Sequence, residues 1–495
     1  DASADTLILE NDDDYKIFKK FSKIFPSNQF LILAYIANNN LIDNEYINNI
    51  IKLKSQIEQI KGIESTFSII DAPIITDQNI SLNDISLDNI KTLISDNVEL
   101  KTGLNDLKNN PIFQNQLINK DANISSIIIY LEDDKKFIDA SNLRDNLKNK
   151  FKDNSKNNEF KKELKKANII YEELKENYNI NRHKLIVEIR NIIKESGYSK
   201  NLYLGGVAMI ADDSLEFVKK DIINFGIGVT IFIIIILTIL FKNIKWVILP
   251  LITTSFCILT IISLLGIIGW KVTVISSNFI ALMLILTMAM NIHMSVRYLQ
   301  FKKENPNTSN SEALLWTTSK MFWPILYTVL TTICAFLSLI FSEIKPIIDF
   351  GWMMTVGLLV SLSITFTLLP AILNILSKEN TNLQQEKKSK ITSFLSRVSQ
   401  KNTKTIFASA TLVIILSILG ISKLEVENSF INYFDKKTEI YKGMKLIDSE
   451  LGGTTPLDVI IKFPAKEKVE KDDDDFDSWD DEEKDDAKYW FTRNK

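Results

Sequence analysis

Long apolar runs constrain this chain more than any other feature. A helix needs roughly 20 mostly apolar residues to cross the hydrocarbon layer of a bilayer. Six runs reach or approach that length, at 222–241, 246–270, 272–296, 321–341, 347–376 and 405–421. The net charge of -3 would suit a soluble protein, but the charged residues are concentrated outside these runs. The sequence therefore predicts an integral membrane protein with an α-helical transmembrane bundle.

Basic residues between the runs predict the orientation of the bundle, because short loops rich in Lys and Arg stay on the cytoplasmic side. The connections after the first, third and fifth runs hold Lys242, Lys245, Arg297, Lys302, Lys303, Lys320, Lys378, Lys387, Lys388, Lys390, Arg397, Lys401 and Lys404. The alternate connections hold only Lys271 and Lys345. We therefore expect residues 1–220 and the segment after 422 to lie outside the cytoplasm.

These boundaries divide the chain into five parts. They are a first extracytoplasmic α+β domain at 1–220, a five-helix transmembrane block at 221–377, a cytoplasmic basic loop at 378–404, a sixth span at 405–421, and the start of a second extracytoplasmic domain at 422–495 with an acidic loop at 472–486. Residues predicted to lie outside must be carried there, and no signal or earlier span precedes them. We therefore expect the chain to be an internal piece of a longer polypeptide.

Residues 1–220 alternate between helical and strand patterns, which is typical of a small open sheet covered by helices. We predict helices at 15–24, 44–60, 98–107 and 171–194, and strands at 30–35, 63–70, 124–131 and 202–209. The Lys- and Asn-rich stretch 133–166 is expected to be an exposed helical or mobile insertion. After the sixth run, the order of polar turn, amphipathic helix and strand echoes the start of the chain, as an internal repeat would.

No pattern typical of an enzyme is present: we find no nucleophile–base constellation, metal-ligand cluster or phosphate-binding loop, so we expect no catalysis, no metal and no cofactor. A nucleic-acid patch is also absent. The acidic loop lacks the spacing and glycine of a Ca²⁺ loop and is interpreted as solvated. His183 stands alone on a charged helix and is expected to be exposed. Cys257 and Cys334 fall inside apolar runs and are interpreted as buried packing residues.

Ordered motifs around the fourth and fifth runs resemble those of a known family. They are Thr331-Thr332, Phe336-Leu337-Ser338-Leu339, Pro346, Asp349-Phe350-Gly351 and Leu368-Leu369-Pro370-Ala371. The segments "NIHMSVRYLQF" and "YLGGVAMIADDSLEFVKKDIINF" add to the likeness. Together they resemble the RND superfamily, most closely its MMPL-like branch of predicted exporters, which shares a five-helix block with the sterol-sensing domain.

The resemblance implies a twelve-helix arrangement with two extracytoplasmic, porter-like domains, in which the six runs are helices two to seven. It implies a multi-pass protein of a bacterial inner membrane that exports hydrophobic or amphiphilic, lipid-like substrates. Its partners would be membrane lipids, the substrate, and either further copies of itself or a periplasmic adaptor. Two alternatives remain open: a non-transporting, sterol-sensing-like regulator that binds lipid, and an accessory of protein secretion.

The resemblance also directs attention to the third run, where many relatives carry a proton-relay Asp four residues before a His. That position is Ala289 here, so ion coupling is not implied. The polar residues left at that depth are Asn291 and His293, which are the candidate coupling residues. Thr331 and Thr332 either face Asn291 across the bundle or bond back to their own helix.

Six further residues have predicted structural roles. Arg297 and Tyr298 are expected at the headgroup level. Asp349 is expected to stabilise the start of its helix through the helix dipole. Gly351, Gly357 and Pro370 are expected to permit close helix packing and a bend.

Overall fold

The computed structural model describes residues 13–25, 29–37, 42–74, 91–95, 98–153, 158–273, 276–342, 344–376, 390–425 and 430–453. The chain forms two compact units, Asp1–Thr454 and Thr455–Lys495. All structure described below belongs to the first unit. The acidic loop 472–486 and most of the predicted second domain lie outside the described residues.

A four-stranded antiparallel sheet forms the centre of the N-terminal domain. Its strands are β1 (Phe30–Ile36), β2 (Ile63–Ser68), β3 (Ile124–Leu131) and β4 (Leu202–Gly205), in the spatial order β2-β3-β1-β4. Leu33 of β1 pairs with Ile127 of β3 on one side and Leu204 of β4 on the other. The central β1 is buried on both faces, which explains why its sequence is a continuous apolar run rather than an alternating one.

Five helices accompany this sheet: α1 (Asp13–Ile24), α2 (Asn44–Glu58), α3 (Leu100–Asn109), α4 (Lys135–Asp153) and α5 (Asn158–Glu195). In α2, the Asp43 side chain caps the helix by accepting a hydrogen bond from the backbone N–H of Tyr46. Tyr46, Ile50, Leu53 and Ile57 follow at intervals of three or four residues, so they share the face that packs into the core. We call this part of the chain the sheet domain.

The predicted strand 202–209 is wrong in its second half. It stops at Gly205, and a new helix, α6 (Val207–Phe241), begins after Gly206. Gly206 has a φ of +125° and lies so close to β1 that an added Cβ would be 3.0 Å from the carbonyl oxygen of Phe30. Only glycine takes this conformation at low cost, so the chain turns there from strand to helix. The stretch 133–166 is largely helical, because it forms α4 and the start of α5.

Six helices are long and apolar enough to cross a membrane within the described part of the chain, which confirms the helical membrane bundle. After α6 they are α7 (Ile244–Ile268), α8 (Phe279–Glu304), α9 (Asn310–Leu337, followed by a short 3-10 turn), α10 (Lys345–Leu376) and α12 (Thr403–Ile421), with the short α11 (Lys390–Lys401) between the last two. The most apolar window of α8 is 44% buried, whereas that of α12 is 0% buried. Hence α8 is the most enclosed helix, packed by α7, α9 and α10.

The boundary that we predicted at residue 220 falls inside α6. This helix begins with residues buried in the sheet domain, such as Met209, and continues without a break to Phe241. The sheet domain and the first span therefore share one helix.

After the sixth span, the chain returns to the sheet domain through α13 (Glu439–Glu450). Gly443 lies against the backbone of β4, and Ile447 packs with Ile32 and Ile124 of the sheet. Glu450 accepts a hydrogen bond from Asn119 at 2.9 Å. The amphipathic helix of the predicted repeat is thus present, and the strand predicted to follow it lies outside the described residues.

Candidate functional site in the helix bundle

A hydrogen-bonded set of side chains joins three helices inside the bundle. Asn291 of α8 donates from Nδ2 to Oγ1 of Thr254 on α7, at 2.9 Å. Its other amide atom, Oδ1, accepts from Oγ1 of Thr365 on α10, at 3.1 Å. All three residues are at most 1% exposed. One amide therefore links α7 to α10 across α8.

A second layer joins the same three helices one turn away. Oγ1 of Thr287 on α8 lies 2.8 Å from Oγ of Ser361 on α10. Sγ of Cys257 on α7 lies 3.0 Å from the Ser361 hydroxyl and 3.9 Å from that of Thr287. These residues are also fully buried. We call the two layers the polar centre, which consists of Thr254, Cys257, Thr287, Asn291, Ser361 and Thr365.

The two layers align because of the residue spacing along each helix. The members are three residues apart on α7 and four apart on α8 and α10. Residues at these intervals lie on the same helix face, one turn or about 5.4 Å apart. Each helix thus presents a short polar stripe to the other two.

The stripe on α8 continues to Ser295, four residues beyond Asn291. Ser295 is 0% exposed, and its hydroxyl has no hydrogen-bond partner among the described residues. Other buried hydroxyls of the bundle, those of Thr253 and Thr317, donate to the carbonyl four residues earlier in their own helices. An unpaired buried hydroxyl is costly, so Ser295 Oγ is a candidate to bond a water or another polar group.

The polar centre contains no ionisable carboxylate. Polar groups inside a membrane need protein partners, and hydrogen bonds between helices supply them at about 0.6 kcal/mol each on average. Such weak bonds hold α7, α8 and α10 in register, yet each hydroxyl can also bond to a carbonyl of its own helix. The centre is therefore able to exchange partners when the helices shift.

His293 does not belong to this centre. Two residues along an α-helix correspond to a rotation of about 200°, so His293 lies on the side of α8 opposite Asn291. There it is exposed, together with Ala289 and Ile285. The expectation that His293 and Asn291 form one intramembrane centre is therefore wrong in geometry. A coupling role for either residue stays a prediction.

Thr331 and Thr332 take the second of the two alternatives. Both hydroxyls donate to the carbonyl oxygen of Thr328, at 2.9 and 2.8 Å, within α9. Asn291 instead bonds to residues of α7 and α10, because those helices are the ones that face its side of α8.

Three predicted interfacial residues differ in their surroundings. The guanidinium of Arg297 stacks over the Trp316 ring, 4.9 Å from its centroid. Tyr298 is 1% exposed and its hydroxyl lies 3.4 Å from Oδ1 of Asn310, so it packs inside the end of the bundle rather than among headgroups. Asp349 is the fifth residue of α10 and lies beyond the first turn, where the helix dipole acts most strongly, so the predicted dipole role is weakened.

Gly351 and Gly357 lie where α10 approaches a neighbouring helix, and Pro370 removes one backbone N–H donor from α10. A Cβ on Gly351 would be 2.6 Å from the carbonyl oxygen of Phe336, so α10 contacts the backbone of α9 there. A Cβ on Gly357 would meet the flexible side chain of Met283 on α8 at 3.0 Å. Pro370 lies inside α10, which continues past it.

Five members of the polar centre were missed from the sequence, and only Asn291 was singled out. The signal was present as small polar residues at intervals of three or four within apolar runs. Cys257 was interpreted as an apolar packing residue, and this is wrong because its thiol lies in the second layer. Cys334 is exposed rather than buried.

A second polar cluster connects α5 to the start of α6. His183 Nδ1 lies 2.9 Å from Asp212, and Arg190 forms a two-pronged pair with Asp213 at 2.8 and 2.6 Å. Nε of Arg190 also lies 3.2 Å from Glu439 of α13, without the alignment of a hydrogen bond. Contrary to expectation, His183 is therefore not alone.

The pKa of Arg190 is set by its burial and by the acidic side chains around it. Burial opposes its charge, but the hydrogen bond to Asp213 and the charges of Asp213 and Glu439 outweigh burial, so the pKa of Arg190 lies above its usual value. The group is thus a permanent cation that ties α5, α6 and α13 together. Among the described residues, no group of three or more His, Cys, Asp or Glu side chains is placed to hold a metal ion.

Six membrane-length helices, three of which share a buried polar centre, and a sheet domain joined to the first of them define a polytopic membrane protein. The model of the MMPL family matches residues 177–420, which include nearly all of the six spans. The match confirms the resemblance to the MMPL family that was inferred from the sequence.

Among the solved structures that are similar to this chain is the crystal structure of a heavy metal efflux pump. The identity is 12%, the TM-score is 0.35, and the match covers 83% of this chain and 41% of the pump chain. The chain therefore spans less than half the length of that pump, and a TM-score this low supports no equivalence between single elements. No curated protein matches the sequence.

Proposed function

We propose that this chain is part of an RND-type transporter that exports a hydrophobic or amphiphilic, lipid-like substrate. In this proposal the sheet domain lies outside the cytoplasm, and substrate enters from the outer leaflet or the periplasm. It passes between the outer domains as the helix bundle rocks. The observation that carries the proposal is the polar centre, because it gives α7, α8 and α10 a hydrogen-bonded contact that can change partners within the membrane.

The match to the MMPL family and the continuity of α6 add support. A shift among α7, α8 and α10 reaches α6, which packs on α7 and α8 through Leu237, Val247 and Met288. The same helix begins inside the sheet domain, so a movement of α6 within the membrane also moves its first turns in that domain. The oligomeric state, an adaptor and the inner-membrane location stay predictions.

Reconstitution of the full-length protein in liposomes tests the proposal. Movement of a fluorescent phospholipid analogue would be followed under a proton or sodium gradient. We expect Asn291→Leu to slow transport on the order of tenfold, since loss of about 1.4 kcal/mol corresponds to that factor. Thr253→Val is the matched control, because Thr253 is equally buried but bonds only to its own helix. A wild-type protein that moves no lipid under either gradient would contradict the proposal.

A second candidate is a lipid-binding regulator that does not transport. It is favoured by Ala289, which stands where relatives carry an acid, and by the absence of a carboxylate from the polar centre. A regulator needs no ion pathway. Lipid binding by purified protein that is unaffected by any ion gradient, without lipid movement, would support this candidate.

A further inference from the structure

Three ion-pairing residues on one face of α5 contact either Lys271, just after α7, or the first turns of α6, which lead into the first span, and Arg190 also pairs with Glu439 of α13. Glu172 accepts from Lys271 at 2.5 Å, His183 lies 2.9 Å from Asp212, and Arg190 pairs with Asp213. Glu172 and His183 are eleven residues apart, and His183 and Arg190 are seven apart. These intervals are close to three and two helical turns, so the three residues lie in one row along the helix.

The contacts also show how α5 is inclined to the membrane. Lys271 follows the end of α7 by three residues, beside Trp270, so it lies at the level where a span ends. Asp212 precedes the apolar run of α6 by ten residues, which is about 15 Å of helix. Hence α5 approaches the membrane surface as it runs from Arg190 back to Glu172.

The same row continues toward the N-terminus of α5. Lys165 and Lys161 precede Glu172 by seven and eleven residues, so they lie on the face that meets the membrane part of the molecule. Both are exposed, as are Asn168 and Ile169 next to this row. Glu172 itself is about 10 Å along the helix from Lys165, so these lysines lie beyond the Lys271 contact.

This part of α5 is held firmly by its neighbour α4. The Tyr171 ring stacks on Phe137, with centroids 5.6 Å apart, and the Arg144 guanidinium lies 3.8 Å from the centre of the same ring. Tyr171 is buried by these contacts on a face of α5 that differs from the lysine row. The direction of Lys161 and Lys165 is therefore set by a packed helix pair.

We infer that the N-terminal part of α5 lies on the membrane surface, where Lys161 and Lys165 bind the phosphate groups of anionic lipid headgroups. The occupant follows from the position at the end of the spans and from charge complementarity, because ammonium groups are good donors to phosphate. Ile169, beside the row, reaches the apolar side of the headgroup layer. This inference depends on the membrane placement of the spans and not on what the protein transports.

Site-directed quenching in vesicles tests this contact with the full chain in a Cys334→Ser background. A fluorophore is attached to Asn168→Cys, on the lysine row, or to Asn177→Cys, on the far side of α5 and also exposed. The vesicles contain phosphatidylcholine with a nitroxide on part of the headgroups, with or without phosphatidylglycerol. We expect stronger quenching at position 168 than at 177, and a further increase with phosphatidylglycerol.

The lysines are tested by charge reversal in the same vesicles. Lys161→Glu with Lys165→Glu should reduce quenching at position 168 to the level at 177. Lys162→Glu with Lys166→Glu changes the charge equally on the flank of the helix and should leave most of the quenching. All four side chains are exposed, and equal thermal melting would show that each variant is folded.

Three results would overturn the inference. The first is equal quenching at positions 168 and 177, and the second is no effect of reversing Lys161 and Lys165. The third is a label at 168 that is shielded from a water-soluble quencher and untouched by the nitroxide lipid, since a protein segment would then cover this face.

Discussion

Tyr46 shows how burial acts on a single ionisable side chain in the sheet domain. Its ring stacks on Tyr35 at 4.2 Å, and its hydroxyl donates to the Tyr35 carbonyl and lies 3.0 Å from the Ser125 hydroxyl. Burial raises the pKa of Tyr46 far above the usual tyrosine value, and the contact with Ser125 lowers it by less. The folded protein therefore holds Tyr46 in its neutral form.

A raised pKa in the folded state predicts alkaline destabilisation. The stability contributed by the neutral Tyr46 side chain is fully present below its unfolded pKa of about 10. Above that value the free energy of unfolding falls by about 1.4 kcal/mol per pH unit. Tyr46→Phe should lower the free energy of unfolding at neutral pH by about 1 kcal/mol, because Ser125 and the Tyr35 carbonyl lose a partner. The difference in unfolding free energy between wild type and Tyr46→Phe should shrink and then change sign as the pH rises past about 10.

Hydrogen exchange in β1, followed against pH in both proteins, measures this effect. Tyr130→Phe, at a half-buried position on β3, is the control and should keep the wild-type pH dependence above pH 10, since Tyr46 is intact there. Parallel curves for wild type and Tyr46→Phe at every pH would contradict the prediction.

Residue identity and spacing allowed part of the candidate site to be predicted. Asn291 stood out because an amide in an apolar run needs a partner, but the sequence does not show which helices face it. Thr254, Thr287 and Thr365 were overlooked, since a hydroxyl in a helix can satisfy itself and each one looks unremarkable alone. His293 was singled out because a histidine can titrate near neutral pH, but it lies on the face of α8 that is turned away from the polar centre.

At the scale of helices and strands, Gly443 allows α13 to pack closely against the sheet. A Cβ on Gly443 would lie 2.2 Å from the carbonyl oxygen of Leu204, so helix and strand touch through their backbones. Ion pairing with Arg190 at one end of α13 and the bond from Asn119 at the other hold the helix in place. The segment after the sixth span thus completes the packing of the first domain.

Gly443→Ala should release α13, because neither backbone can move without separating the helix from β4. We expect a loss of about 1–3 kcal/mol, typical of overpacking, and faster hydrogen exchange in residues 439–450. Gly226→Ala is the matched control, since an added Cβ there meets nothing within 4 Å. Unchanged exchange in α13 of Gly443→Ala would show that the backbone contact is not required.

The helices and strands were predicted best where the local hydrophobic pattern alone specifies them. The strand at Ile124–Leu131 has the predicted bounds, and each of the six apolar runs contains a membrane-length helix, although the one predicted from 272 begins at Phe279. The extent of α6 was not predictable, because its first two turns are selected by packing in the sheet domain and by Gly206 rather than by hydropathy. The early half of α5 was left open, since its charged sequence has little apolar contrast until it packs on α4.

For the whole molecule, the basic connections predict that the sheet domain and α11 lie on opposite sides of the membrane. Single cysteines at Asn158 and Ser396, in a Cys334→Ser background, test this in intact cells with an impermeant reagent. We expect labelling at 158 without lysis and at 396 only after lysis, since Lys and Arg are retained in the cytoplasm. Labelling of Ser396→Cys in intact cells would reverse the assigned orientation.

The unbroken course of α6 has a mechanical consequence. At 35 residues it is about 52 Å long, so it acts as a lever with one arm in the sheet domain and the other in the bilayer. A tilt of about 5° at one end displaces the other by about 5 Å, a distance close to one helical turn. Because α6 is one unbroken helix, repacking around Leu237 that tilts the helix also displaces its first turns in the sheet domain, and a displacement of that domain tilts the membrane end of the helix.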